Sequence, residues 1–189
     1  MRVSVEVDER RLKEVQLRLG QFSKKAPNAI ANALNRGADN INTNIKKEIR
    51  KEYHVKAGDV SATLKKHRAS RGSLSANVES KGPLIGLDKF KVSPKTVNPK
   101  RKSLLSIAVK KDGMKKVKGA FNADINGTKV FMRSTKKRLP IRRLFGPSVP
   151  QMLGNEEIRD VVESQGREKF EERLEHEITR ILDVGRSQG

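Results

Sequence analysis

Val3, Val5 and Val7 alternate with polar residues, the period-two pattern of a half-buried strand. The period then changes. Leu12, Val15, Leu19 and Phe22 recur at three- and four-residue intervals behind Asp8, whose carboxylate suits the unpaired N–H groups of a helix start. Gly20 weakens this helix near its end. Pro27 fits the first turn of the next helix, where its missing N–H has no helical partner to lose. The apolar face of that helix is Ile30, Ala33, Leu34, Ala38, Ile41, Ile45 and Ile49, and the pattern reaches about Tyr53. Asp59 reads as the cap of a shorter helical piece with Val60 and Leu64 on one side.

Strand patterns take over from Arg71. Residues 73–79 alternate and stop at Gly82-Pro83. Pro83-Leu84-Ile85-Gly86-Leu87 reads as a compact apolar plug, and residues 91–102, with two prolines and no period, as an extended basic loop. Leu104 to Val109 is a strand, Asp112-Gly113 a tight turn, and Val117 to Ile125 a further strand. Asn126-Gly127 predicts a hairpin, because a type I′ turn needs positive φ at both central residues, and Val130 to Arg133 completes it. Residues 138–152 hold three prolines and a glycine and read as a rigid, non-regular connector. Asn155 caps the last helix, with Glu156 and Glu157 at its positive dipole end. Its stripe is Ile158, Val161, Val162, Phe170, Leu174, Ile178, Ile181 and Leu182, running to about Asp183. The expected fold class is α+β: long amphipathic N-terminal helices, a small antiparallel sheet with basic extended loops, and an acidic amphipathic C-terminal helix.

Charge changes this picture more than composition does. The chain of 189 residues is 34% hydrophobic, lacks Cys, and carries a formal charge of +20. Residues 1–88 hold 18 basic and 10 acidic side chains, whereas residues 89–143 hold 18 basic and only two acidic ones, Asp112 and Asp124. Residues 144–185 reverse the sign, with five basic and ten acidic side chains. Self-repulsion in the middle segment argues against full compactness there in an isolated chain. No stretch approaches the ~18 apolar residues of a membrane span, and no partner membrane is expected. The N-terminus lacks the charged start and apolar run of a secretory signal. Without Cys there are no disulfides, and the commonest zinc ligand sets go with them.

Candidate chemistry is sparse. His54, His67 and His176 have no second His or carboxylate at metal-ligand spacing. No Gly-x-Ser-x-Gly elbow and no Gly-x-x-x-x-Gly-Lys-Ser/Thr phosphate cradle occur. An enzyme is not expected, nor a catalytic residue, metal or cofactor; a hydrolase acting on DNA or cell wall lacks the ligands. The cationic side chains are therefore the candidate contacts: Lys100, Arg101, Lys102, Lys110, Lys111, Lys115, Lys116, Lys118, Lys136, Lys137, Arg138, Arg142 and Arg143. They suit phosphates, read without sequence preference, or acidic protein neighbours. Phe90, Phe121 and Phe131 are spaced like core residues rather than a base-stacking platform.

One segment is distinctive. Arg138-Leu139-Pro140-Ile141, two residues, then Leu144-Phe145-Gly146-Pro147-Ser148-Val149-Pro150 resembles the signature of the tailed-bacteriophage minor tail protein Z family. Within it Leu139, Pro140, Ile141, Gly146, Pro147, Ser148 and Pro150 are the structural motif residues. Ala29-Ile30-Ala31-Asn32-Ala33-Leu34-Asn35-Arg36 resembles the family's first long helix, and His67-Arg68-Ala69 with Leu74-Ser75-Ala76 its Arg-Ala step. Pro83 to Leu87, Gly119-Ala120-Phe121-Asn122-Ala123, Val130-Phe131-Met132-Arg133 and the acidic last helix with Phe170 and Leu174 follow in the same order. Where family members carry Gly-His-x-Gly before the Val-Phe segment, this chain has Gly127-Thr128-Lys129.

The resemblance covers about residues 26–183 and implies a tail-completion domain. Within it, 26–70 are read as helical, 71–135 as mostly β with a basic loop at 89–103, 136–154 as the Pro-rich connector and 155–183 as helix. Residues 1–25 precede the domain as strand and helix, and 184–189 form a tail. The implied role is a structural virion protein at the head-proximal end of a phage tail, assembled in the host cytoplasm. The implied partners are neck and tail proteins such as the tail terminator and head-completion proteins, further copies in a ring, and the backbone of genomic DNA. Composition alone leaves open a sequence-independent nucleic-acid-binding protein.

Overall fold

The computed structural model describes residues 1–186. Its class is α+β, and the chain divides into two compact units. The first comprises Met1–Lys46, Leu64–Ser80 and the chain from Leu153 onward; the second comprises Lys47–Thr63 and Lys81–Met152.

In the first unit, strand β1 (Arg2–Glu6) lies beside β3 (Ser75–Ser80), which also pairs with β2 (Leu64–His67), all antiparallel. Val3, Val5, Ala76 and Val78 point from one face of this sheet into the core. Helix α1 (Glu9–Leu19) starts at Asp8, whose carboxylate accepts a hydrogen bond from the Arg11 N–H at 2.8 Å. Gly20 ends α1 and opens a 3-10 turn (Gly20–Lys25), so Phe22 belongs to that turn rather than to the helix. Helix α2 (Ala26–Glu52) buries the whole predicted face from Ile30 to Ile49. Its i, i+3, i+4 spacing leaves one stripe with no route to water.

Helix α5 (Glu156–Arg186) packs against β1 and α1. Asn155 Oδ1 accepts from the Glu157 N–H at 3.0 Å, as its sequence position predicts. The helix continues three residues beyond the predicted end, taking in the start of the expected tail; residues 187–189 of that tail lie outside the described residues. Ile158, Val162, Phe170, Leu174, Ile178 and Ile181 are buried, but Val161 is 39% exposed, because the core-facing stripe is narrower than the apolar composition suggested. Glu177 is the reverse case: a carboxylate of this acidic helix is only 1% exposed. The negative helix finds its counter-charges locally. Arg18 donates to both Glu175 oxygens at 2.6 Å, and Arg11 pairs with Glu171.

Two of the resemblance motifs meet in this unit. Asn35 on α2 brackets the Ala69 peptide, with Nδ2 donating to its carbonyl at 3.1 Å and Oδ1 accepting its N–H at 2.9 Å. A bracket of this kind pairs backbone groups that no strand ladder reaches.

The second unit holds the end of α2 from Lys47, helix α3 (Ala57–Ser61) and two three-stranded antiparallel sheets. The first sheet has the order β4 (Lys91–Ser93), β5 (Leu105–Ala108), β6 (Lys115–Val117). The second has the order β7 (Ala120–Asp124), β8 (Thr128–Arg133), β9 (Ile141–Arg143). Val92, Leu105, Ile107 and Val130 form its core, joined by Leu87, Val117, Ala120 and Leu144. The highly charged middle segment is thus folded, against the expectation from self-repulsion. Its lysines lie in loops and turns, on the edge strands β4 and β6, and at half-buried Lys129 on β8, while Val92, Leu105, Ile107 and Val130 are buried.

Several boundaries depart from the sequence pattern. The expected single small sheet is three sheets. Lys56, not Asp59, precedes α3, and Leu64 begins a strand, because pairing with Ser80 outweighs the helical spacing. The basic loop begins with β4, which pairs with β5. The single strand predicted over residues 117–125 is broken at Lys118-Gly119, since β6 pairs with β5 and β7 with β8. Asn126 and Gly127 both take positive φ, at 51° and 91°. Pairing starts at Asp124 with Thr128, however, so three residues make the turn and Ile125 is left exposed. The apolar plug is open, with Leu84 51% exposed.

The Pro-rich connector contains β9 and helix α4 (Val149–Leu153), with Pro150 in the helix's first turn. It also meets the plug. Gly146 N–H donates to the Ile85 carbonyl at 2.8 Å, and Leu87 N–H to the Leu144 carbonyl at 3.1 Å.

Candidate functional site

Strand registers distribute the predicted cationic contacts within the second unit. The turn between β5 and β6 carries Lys110 and Lys111, with Lys115 at its far side. Lys110 lies over the Tyr53 ring at 5.7 Å, and the Lys111 N–H donates to the Glu52 carbonyl at 2.8 Å. Beside them, burial and then the charges of Lys91 and Lys111 hold the His54 imidazole below its ordinary pKa. The shift favours the neutral imidazole, as expected for a partly desolvated group among cations.

The other group collects where β7 begins. Ala120 pairs with Met132, and Met132 with Arg142, so Lys118, Arg133, the β8–β9 loop and Arg142 share one end of the second sheet. That loop carries Lys136, Lys137 and Arg138, all exposed, with Leu139 65% exposed beside them. The Ser134 N–H donates to the Pro140 carbonyl at 3.1 Å and closes its neck. Lys116 is exposed on edge strand β6 of the first sheet, paired with Ser106.

A concave basin of about 440 Å3 opens here, lined by Val97 to Pro99, Arg101 to Leu104, Gly119 to Ala123 and Arg133. The Asn122 amide builds it, donating to the Pro94 carbonyl at 2.9 Å and the Thr96 carbonyl at 3.3 Å, which ties the basic loop to β7. Arg101 closes the loop on itself by donating to the Thr96 carbonyl at 2.6 Å, while Lys100 and Lys102 extend to solvent. Phe121 forms the floor, with the Arg133 guanidinium 5.0 Å from its ring centroid. Val97 and Leu104 are 44% and 46% exposed at the rim. The lining contains no carboxylate.

Arg143 is placed differently from its neighbours. It donates to Asp88 Oδ1 at 2.8 Å and lies over the Phe145 ring at 5.2 Å, a structural placement inside the motif. Of the motif residues, Ser148 is buried and shares hydrogen bonds with Gln151, while Pro140 follows a cis peptide bond. Sequence pattern did not single out Arg133, Leu104 or Val97. Phe121 pairs with Phe131 across the hairpin, and only that register sets Arg133 beside the Phe121 ring.

Among the described residues no group of His, Asp and Glu is arranged to hold a metal ion, and no helix is long and apolar enough to cross a membrane. The family model for the prophage minor tail protein Z (GPZ) matches residues 12–186. No curated protein and no solved structure matches the chain.

Proposed function

The chain belongs to the prophage minor tail protein Z family, a family of structural phage tail proteins, and is thereby a virion component. From that membership we propose that it completes the head-proximal end of the tail and makes it competent for head joining. In this reading residues 26–183 are the tail-completion domain, copies are arranged in a ring, and the basic surface of the second unit faces neighbouring neck and tail proteins or the genome backbone. The observation that carries it is the gathering of cations from three separate segments, around Lys102, Lys118 and Lys136 to Arg138, at one end of the unit. Ordinary solubility needs a net charge of only about 2–8, far less than this segment holds.

The test is replacement of Lys100, Lys102, Lys136 and Lys137 by Ala. All four are exposed, so far-UV circular dichroism is expected to be unchanged while the yield of DNA-filled, tailed particles falls. Unchanged yield removes the contact role. Titration of the purified chain with duplex DNA at several salt concentrations separates the two partner classes. Phosphate contacts lose affinity steeply as salt rises. Tight binding by free monomer at physiological salt favours the free-standing nucleic-acid-binding reading instead.

A further inference from the structure

The basin pairs cations with apolar side chains, Val97 and Leu104 exposed and Phe121 half-buried. A duplex backbone engages the cations alone and gains nothing from Val97, Leu104 or Phe121; a protein partner uses both, since interface cores are rich in aromatic residues and Arg. The fitting partner presents carboxylates flanking an apolar side chain, and this chain carries such a surface. On the first half of α5, Glu157, Val161, Ser164 and Glu168 are spaced four, three and four residues apart and are all exposed, which places them on one helical face. Most α5 carboxylates already have partners: Glu171 and Glu175 on α1, Glu172 with Lys169, and Glu177 with Arg173 and Arg180. Glu156, Glu157 and Glu168 have no ion-pair partner among the described residues.

We propose that the basin formed by Arg101, Lys102, Leu104, Phe121 and Arg133 receives the Glu157–Glu168 face of α5 from a second copy of this chain. Val161 sits toward the apolar floor, and Glu157 and Glu168, roughly 17 Å apart along the helix axis, reach the cations of the rim. Basin and helix are different surfaces, so the contact is heterologous and propagates from copy to copy, closing where the rotation closes. The inference deepens the tail-assembly reading and rests on it for the expectation that copies repeat around an axis.

Sedimentation equilibrium of the purified full chain at low and high salt tests it. The wild-type chain is expected to self-associate, less so at high salt. Lys102→Glu and Glu168→Lys, both at exposed positions without ion-pair partners, should each weaken association about tenfold, and the chain carrying both should recover it. A second measurement uses the absence of Cys. Under mild oxidation, the doubly substituted Lys102→Cys, Glu168→Cys chain should give covalent species larger than dimers, and each single variant no more than dimers. A wild-type chain that stays monomeric, single charge variants without effect, failed recovery in the double variant, or only monomers after oxidation overturns the proposal. A monomer that binds duplex DNA in a Lys102-dependent manner overturns it in favour of nucleic acid. A chain that completes tails yet never cross-links removes this interface alone; one that never enters particles removes the tail reading itself.

Discussion

Gly37 on α2 and Gly166 on α5 face one another where the two helices cross. A Cβ on Gly37 would stand 3.0 Å from the Gly166 carbonyl oxygen and 3.3 Å from Phe170 Cβ, and one on Gly166 would run into Ile41 Cγ1. Helix axes approach this closely only where no side chain intervenes.

The crossing predicts that Gly166→Ala lowers stability despite Ala being the better helix former. The propensity gain is about 1 kcal/mol, whereas overpacking against fully buried Ile41 costs about 1–3 kcal/mol. Urea unfolding midpoints should fall for Gly166→Ala and further for Gly166→Val. Combined with Ile41→Ala, the loss should be smaller than the sum of the single losses. Strict additivity would show that the contact relaxes freely.

Glu177 gives a pH dependence with a definite sign. Burial pushes its carboxyl up, but the Arg180 hydrogen bond at 2.7 Å and the charges of Arg180 and Arg173 outweigh it and hold the carboxyl below its ordinary value. Stability from this group is present above the unfolded carboxylate pKa and is lost as pH falls through the depressed folded value. Glu177→Gln should cost about 1–3 kcal/mol at pH 7, discounted for the partly exposed Arg partners. It should also flatten the acid limb of the stability curve. Glu175, lowered by its hydrogen bond to Arg18 on α1, contributes in the same direction. An acid limb unchanged in Glu177→Gln would assign it to other groups.

Gly146 owes its place to space rather than to backbone torsion. It is not among the positive-φ glycines, but a Cβ there would lie 2.7 Å from Phe90 Cε2 and 3.3 Å from Leu87 Cδ2. Gly146→Val should displace the Phe90 ring, 3% exposed in the wild type, and raise hydrogen exchange at residues 85–90 and 144–146 together. An unchanged exchange pattern in those two segments would contradict this packing.

Arg143 and Lys102 look alike in composition and should behave as opposites. Arg143→Ala breaks the Asp88 pair and the Phe145 contact, and should cost about 1–2 kcal/mol in thermal unfolding. Lys102→Ala should stay within about 0.5 kcal/mol and alter only association. The reverse order of stability effects would make Arg143 the surface contact.

How much was legible follows from range. Asp8 and Asn155 cap their helices through bonds spanning three and two residues, and the α2 face from Ile30 to Ile49 is a local periodicity, so each could be read from sequence. The family signature was legible too, but not why its pieces recur together. Asn35 closes on Ala69, and Gly146 on Ile85, contacts across 34 and 61 positions that no local pattern encodes.

The sequence by itself determined the α+β class, the Asp8 and Asn155 caps, the Asn126-Gly127 reversal and the concentration of positive charge in residues 89–143. Those properties arise from side-chain spacing, turn chemistry and counting, which act within a few residues. Tertiary structure alone decided that 141–143 is a strand and that Glu177 is buried. It also separated Arg143, held by Asp88, from Lys102 at an open rim, and set Arg133 over Phe121. Long-range strand pairing and helix packing assign each side chain its neighbours, and those neighbours determine whether a charge is structural or free to meet a partner.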